Sequence, residues 1–360
     1  MFEPQSFAAL LARMRPEVER ALELAWESAQ AQHASLGLAV AAPLAAARQL
    51  CLRGGKRLRA ALVAVGYRIA GGGLDLGPCL GVCCAVELLH AYFLIHDDWM
   101  DQDELRRGGP AVHAALARQF GSAHLGAAGA ILAGDYTLAL ATRELARVDV
   151  APERRASLLA RFVAMQLDAV VGQQLDVLGN QLRYQPGEQL AAARGSADLE
   201  DIYRLKTGSY TVLGPLQLGV ALGDATAELG AALEAFALPL GIAFQLRDDL
   251  IGAYGDPART GKPRGSDLIA GKRTLLLSAA LGDSNASQAL GTVVGNPRAT
   301  ADAVELALAA IDACGARASV EARIEELTQE AQAALARSSF DATGRDLLQG
   351  VLAALVDRGL

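Results

Sequence analysis

Leu88-Leu89-His90-Ala91-Tyr92-Phe93-Leu94-Ile95-His96-Asp97-Asp98-Trp99-Met100-Asp101 is an apolar run that ends in three carboxylates, and its reading decides the fold. Its apolar residues cover most of a helix's circumference instead of one stripe, which marks a buried helix, predicted from Pro78 to Met100. On that helix Asp97 and Asp101 lie one turn apart on one face, with Asp98 beside them. Three carboxylates so spaced repel one another unless a cation or a basic side chain joins them. Hard oxygen donors suit magnesium, which takes one or two carboxylates, keeps waters and completes its shell with phosphate oxygens. The plain alternative is a solvated acidic helix end, and the apolar run before the carboxylates counts against it.

Outward from this run the chain keeps a helical period. Helices are predicted at 7–31 (with a kink at Pro16), 42–51, 58–69, 112–120, 123–147, 152–182, 198–222, 225–254, 272–280, 300–313, 316–338 and 341–356. No strand pattern interrupts them, which excludes a parallel-sheet nucleotide fold. No linker or internal repeat divides the chain, so residues 1–360 are expected to form one large all-α domain. Apolar residues are 52% and charged residues 20%, which excludes a disordered protein. A net charge of -7 argues against a nucleic-acid partner. The five cysteines, Cys51, Cys79, Cys83, Cys84 and Cys314, contain no CxxC pair. A reducing, cytoplasmic setting is the expectation, without disulfide or zinc. Met1-Phe2-Glu3-Pro4 lacks signal-peptide character, and the longest uncharged stretch, 28–47, carries Gln30, Gln32, His33 and Pro43, so no membrane insertion is expected.

A second acidic pair, Asp248-Asp249, lies in the apolar segment 241–252. Buried acidic patches on two helices can face each other and hold metal between them. Around these patches stand basic residues: Gly54-Gly55-Lys56-Arg57-Leu58-Arg59 at the opening of a helix, Arg106-Arg107, Lys206-Thr207-Gly208, Gly261-Lys262-Pro263 and Gly271-Lys272. Each alone is an ordinary surface charge. Together they imply a ligand with several phosphate charges, bridged by a divalent ion. No Ser-His-Asp or Cys-His arrangement stands out.

The string from Glu87 to Gly108, with GGKRLR before it and Phe244-Gln245-Leu246-Arg247-Asp248-Asp249 and Gly261-Lys262-Pro263 after it, resembles the trans-isoprenyl diphosphate synthases (polyprenyl synthetases), in order from about Gly54 to Thr274. The resemblance implies a large orthogonal helical bundle of the isoprenoid synthase type, its central cavity lined by helices carrying two Asp-rich motifs. It further implies a magnesium-dependent condensation of isopentenyl diphosphate with an allylic diphosphate, three bound ions and a homodimer. Carried over by position, Asp97, Asp98, Asp101, Asp248 and Asp249 would bind metal. Lys56, Arg59, His90 and Arg107 would hold isopentenyl diphosphate, and Arg106, Lys206, Lys262 and Lys272 the allylic diphosphate. Lys206, Thr207 and Gln245 would serve the reaction centre, with Gln173 and Asp176 lining it. Two positions depart from the family: Gly252 stands where the second motif has its third Asp, and Ala60 where proline is common.

Side chains lean toward the helix N-terminus, so Tyr92 and Phe93, five and four residues before Asp97, would form the floor under the growing prenyl tail. Two aromatics there resemble farnesyl (fifteen-carbon) synthases, with a geranylgeranyl (twenty-carbon) product as the alternative. A terpene cyclase would bind one diphosphate and have no use for Lys56, Arg59 and His90. A non-catalytic partner subunit would typically lose the acidic motifs, and the first is intact here.

Overall fold

A computed structural model of the chain describes residues 6–73, 75–179, 196–223, 226–257 and 263–356. Lys262 lies outside the described residues. The all-α expectation holds: the described chain is helical nearly throughout, with one short hairpin. Two compact units emerge, one from Met1–Val163, Gly214–Gly230 and Phe340–Gly350, the other from Ala164–Leu213, Ala231–Ser339 and Val351–Leu360.

In the first unit α1 (Phe7–Gln32), α2 (Leu38–Leu52), α3 (Leu58–Ile69), α4 (Leu80–Met100), α5 (Val112–Phe120) and α6 (Ala123–Ala146) follow in order. The Ser6 and Ser122 side chains accept N–H groups of α1 and α6, satisfying donors that the first helical turn leaves free. α4 packs chiefly on α6 and on α3, which in turn lies against α9 (Gly214–Leu222). Val82, Leu88, Leu89 and Ile95 of α4 are fully enclosed, which explains an apolar circumference wider than a stripe. By length and composition alone three helices are apolar enough to cross a membrane: Gly77–Met100, Ala123–Ala146 and Ala227–Tyr254. Each carries charges within or at its end, so none of them is an uncharged run.

The second unit holds most of α7 (Pro152–Gly179), α8 (Ser196–Tyr203), most of α10 (Ala227–Tyr254), α11 (Ser266–Ile269), α12 (Leu275–Ala280), α13 (Ser284–Leu290), α14 (Ala301–Ala313) and α15 (Ala316–Arg337). α16 (Ala342–Val356) is the last described helix. Arg323 of α15 grips Glu200 of α8 with two hydrogen bonds of 2.9 and 3.0 Å, a fork that suits a planar carboxylate. Where the periodicity predicts one helix over 198–222, the chain winds wider over Arg204–Leu213, a ten-residue π-helical stretch. Such wide turns are rare and gather at functional sites. This one carries Lys206, Thr207 and Gly208. Gly172 and Gly241 press on it so closely that a Cβ on either would overlap the backbone of Lys206 or Gly208.

Candidate active site

The carboxylate end of α4 divides its acidic residues between two tasks. Asp101 is the helix C-cap, its N–H donating to Asp97 O at 2.8 Å, and the Asp97 side chain keeps 24% of its surface open. Asp98 points the other way: its side chain is 0% exposed and lies against the Arg106 guanidinium, whose Nε donates to Oδ1 at 2.6 Å. Arg106 also reaches Asp103 at 3.2 Å and Asp97 at 3.7 Å. Burial pushes Asp98 up to about 6 against the opposing pull of Arg106, so it remains ionised at neutral pH. The structure thus gives Asp98 to Arg106, while Asp97 and Asp101 stay together as sequence spacing requires.

Arg106 and Arg107 sit on a hairpin of strands β1 (Leu105–Arg106) and β2 (Gly109–Pro110), a feature the periodicity did not predict. Arg107 and Gly108 between them have φ of 51° and 72°, the two positive values a type I′ turn demands. Arg107 Nη2 lies 3.2 Å from His90 Nε2. Burial first, then the positive charges of Arg59 and Arg107, push His90 well below the ordinary histidine range. The imidazole is neutral, so Nε2 accepts from the guanidinium and the ring proton resides on Nδ1. The other candidates for the isopentenyl end are Lys56, exposed at the head of α3, and Arg59, half-buried one turn further on.

Arg57, between them, has a structural task. It adopts the left-handed conformation (φ 53°) ahead of α3, and its side chain is 1% exposed. Nη1 donates to Glu87 at 3.3 Å and Nη2 to Cys51 O at 3.1 Å, while the other Glu87 oxygen accepts from Ala60 N at 3.2 Å. One buried carboxylate therefore holds the basic loop and receives an otherwise free N–H of α3.

Below Asp97 the rings collect. Tyr92 and Phe93 lie with centroids 4.9 Å apart, and His96 stands edge-on to Tyr92 at 4.7 Å. His96 Nε2 donates to Ile131 O at 3.1 Å, and its ring occupies the space that a side chain at Gly134 would need. The expected floor residues are adjacent, with His96 fastening them to α6.

In the second unit a chain of hydrogen bonds links the predicted reaction-centre residues. Thr207 Oγ1 donates to Gln245 Oε1 at 2.6 Å, and Gln245 Nε2 donates to Asp249 Oδ1 at 2.9 Å. The Tyr203 hydroxyl donates to Asp249 Oδ2 at 2.7 Å and accepts from Leu275 N at 2.9 Å. Both Asp249 oxygens are thus engaged. Burial raises this carboxyl to about 7, with Asp267 and Asp176 adding to the rise and the two hydrogen bonds opposing it. Asp248, its neighbour, is half-buried, as are Gln173 and Lys272. Lys206 pairs with Asp176. At Gly252 the space for the family's third carboxylate is already filled, because a Cβ there would overlap the carboxylate of Asp267. Sequence reading gave no role to Glu87, Asp103, Tyr203, Asp267 or Arg53. Only Glu87 carried a signal, as a lone charge inside an apolar run.

With this geometry in hand, similarity to known proteins is informative. A sequence profile of the polyprenyl synthetase family matches residues 42–311. The geranylgeranyl diphosphate synthase of Mycobacterium tuberculosis is 38% identical over 286 residues, 78% of this chain and 75% of that protein. The farnesyl diphosphate synthase of Geobacillus stearothermophilus is 37% identical over 228 residues, 61% of this chain and 69% of its own length. A solved geranylgeranyl pyrophosphate synthase of Corynebacterium glutamicum, complexed with isoprenyl diphosphate and magnesium, superposes with a TM-score of 0.87 at 31% identity, over 96% of this chain and 98% of that one. The chain belongs to the polyprenyl synthetase family. It is a prenyltransferase, a short-chain trans-isoprenyl diphosphate synthase with the all-α isoprenoid synthase fold.

Proposed function

We propose that this enzyme makes farnesyl diphosphate by head-to-tail condensation of isopentenyl diphosphate with an allylic diphosphate, with magnesium held by Asp97 and Asp101 of the first acidic motif and Asp248 as the metal residue that the resemblance gives for the second. The observation that carries this reading is the juxtaposition on one short segment of open carboxylates, Asp97 and Asp101, with the basic hairpin Arg106-Arg107. Among the described residues no three His, Cys, Asp or Glu side chains are gathered closely enough to hold an ion by themselves. Carboxylates in ones and twos suit magnesium, whose remaining positions go to water and phosphate oxygens. Three ions with both diphosphates bound is the expected complement. When bound, magnesium neutralises the charge that develops on the departing diphosphate.

The chain's own residues do the rest. Lys56, Arg59 and Arg107 hold isopentenyl diphosphate, with neutral His90 orienting Arg107. For the allylic diphosphate the resemblance gives Arg106, Lys206, Lys262 and Lys272, cations that would offset the charge developing as its carbon–oxygen bond breaks. Thr207 gives its only hydroxyl proton to Gln245, so the oxygen of Thr207 turns its lone pairs to an allylic cation, which it stabilises without forming a bond. Holding both substrates in register makes the attack of the isopentenyl double bond effectively unimolecular. The proton then lost passes to the released diphosphate, so no covalent enzyme intermediate is needed. Tyr92 and Phe93, about 6–8 Å along the helix from Asp97 at 1.5 Å per residue, support the fifteen-carbon product. On α7, Val163, Leu167, Val171 and Leu175 recur every four residues and are 38–63% exposed, an apolar stripe that supports a homodimer.

Incubation with isopentenyl diphosphate and dimethylallyl, geranyl or farnesyl diphosphate, with and without magnesium, followed by mass spectrometry, tests the proposal. A fifteen-carbon product is expected. A twenty-carbon product would overturn the chain-length assignment, and absence of condensation with every primer would overturn the function.

A further inference from the structure

Arg53 belongs to no motif, yet it touches both segments that carry the isopentenyl site. Its backbone ends α2, its N–H donating to Gln49 O at 2.9 Å. Its side chain turns to the hairpin, where Nη1 donates to Arg106 O and to Pro110 O, 3.1 Å each. Those carbonyls lie on opposite strands, Arg106 on β1 and Pro110 on β2, so one nitrogen ties the two together. A ribbon of two residues per strand has too few bonds to hold its own position in water. A second observation points the same way. Gly109, paired with Arg106 in the ribbon, leaves room for the guanidinium, and a Cβ there would overlap Arg53 Cζ and Nη1. On the other side of the contact Gly55, in the basic loop, faces the Arg107 guanidinium, with 3.4 Å to a Cβ built on it.

We infer that Arg53 is a positioning residue that clamps the hairpin Leu105–Pro110 to the loop 53–57, so that Arg107 meets isopentenyl diphosphate in one preorganised set with Lys56 and Arg59. The two arginines act through their side chains, which engage Asp98 and His90, and Arg53 acts only on the backbone that aims them. Preorganisation of this kind raises affinity by lowering the ordering cost of binding. The inference rests on the diphosphate reading above, and its test has a part that does not.

Arg53→Met keeps the aliphatic stem and removes both hydrogen bonds. The KM for isopentenyl diphosphate should rise about tenfold, and calorimetric affinity for inorganic pyrophosphate should fall by a similar factor, the worth of one modest charge-assisted hydrogen bond. kcat should stay within about twofold, because the lost term acts on binding. Hydrogen exchange should quicken at amides of 105–109 while α4 and α6 stay protected. Gly109→Ala, which displaces the guanidinium, should reproduce these changes, the double variant should be no worse than either single one, and Arg53→Lys should recover part of the affinity. An unchanged KM and pyrophosphate affinity in Arg53→Met, additive effects in the double variant, or exchange that quickens across the whole unit would overturn the inference. Loss of synthase activity in the unmodified enzyme would instead overturn the functional reading, while the exchange and pyrophosphate measurements would still judge Arg53.

Discussion

Replacing Gly252 by aspartate writes the missing third carboxylate into the second motif, and the structure predicts loss where the family pattern suggests repair. The site is occupied: a Cβ at 252 would overlap Oδ2 and Cγ of Asp267, and the new carboxylate would stand beside the old one. Overpacking alone costs about 1–3 kcal/mol. Two carboxylates about 4 Å apart repel by up to about 4 kcal/mol at an effective dielectric of about 20, a figure that protonation of one of them reduces. Against this, leaving glycine gains only a few tenths of a kcal/mol of helix propensity. A net destabilisation of about 2–4 kcal/mol follows, which at about 2–4 °C per kcal/mol lowers Tm by roughly 4–16 °C. The partner change supplies the control. Asp267→Ala removes the overlapping atoms, so Gly252→Asp with Asp267→Ala should regain most of the Tm lost by Gly252→Asp and more activity than Asp267→Ala retains. Thermal unfolding by circular dichroism and a condensation assay measure both. A Tm for Gly252→Asp at or above that of the parent, or a double variant no more stable than Gly252→Asp, would refute the reasoning.

Glu87→Ala strands Arg57 in a site where its side chain is 1% exposed, and removal of one partner from a buried pair costs about 3–5 kcal/mol; urea unfolding should show the drop, and a shift under about 1 kcal/mol would contradict the pairing. Tyr92→Ala with Phe93→Ala should move the product toward twenty carbons or more by mass spectrometry, and an unchanged length would remove the rings from the floor. Since His90 is held well below its ordinary 6.5, the folded chain resists a proton that the unfolded chain accepts. The associated stability is present above about pH 6.5 and is lost as pH falls below it. Asp249, raised to about 7, works in the opposite sense, losing stability as pH rises through that range. The informative quantity is therefore the difference between the parent and His90→Gln: the variant should gain relative stability between about pH 7 and pH 5, and a pH-independent gap would show that His90 does not titrate as described.

Helix 58–69 and helix 112–120 were legible in the sequence to the residue, because apolar period and flanking glycines or prolines agree at both ends. The wide turn Arg204–Leu213 was not, since a π-helix keeps helical composition and reveals itself only in backbone geometry. The hairpin was hidden for a different reason: two residues per strand are too few for any alternation, and Gly108-Gly109-Pro110 marks a break between helices without showing that strands flank the turn. Asp97, Asp101 and Gln245 could be assigned from spacing and resemblance. Tyr203 and Arg53 could not, because their partners lie 46 to 72 and 53 to 57 positions away and no local pattern connects them.

The division of labour at the end of α4 explains how three carboxylates can terminate an apolar helix before any ion binds. Asp98, fully enclosed, could not remain ionised without a cation in contact, and Arg106, eight residues on, provides it through the hairpin turn. Asp97 stays at the open side of the cap, with 24% of its side chain exposed and the same guanidinium 3.7 Å away, and Asp101 caps the helix beside it. Counting formal charges on this segment, Asp97, Asp98, Asp101, Asp103 and Glu104 carry five negative charges against two positive ones on Arg106 and Arg107, so the segment keeps an excess of three negative charges that a divalent ion would offset in large part. The contact of Arg106 with Asp97, at 3.7 Å, is the longest it makes here, and Asp98 and Asp103 hold the guanidinium independently of it. The second Asp of the motif is thereby the fixed point that holds Arg106 beside the two carboxylates of the open side.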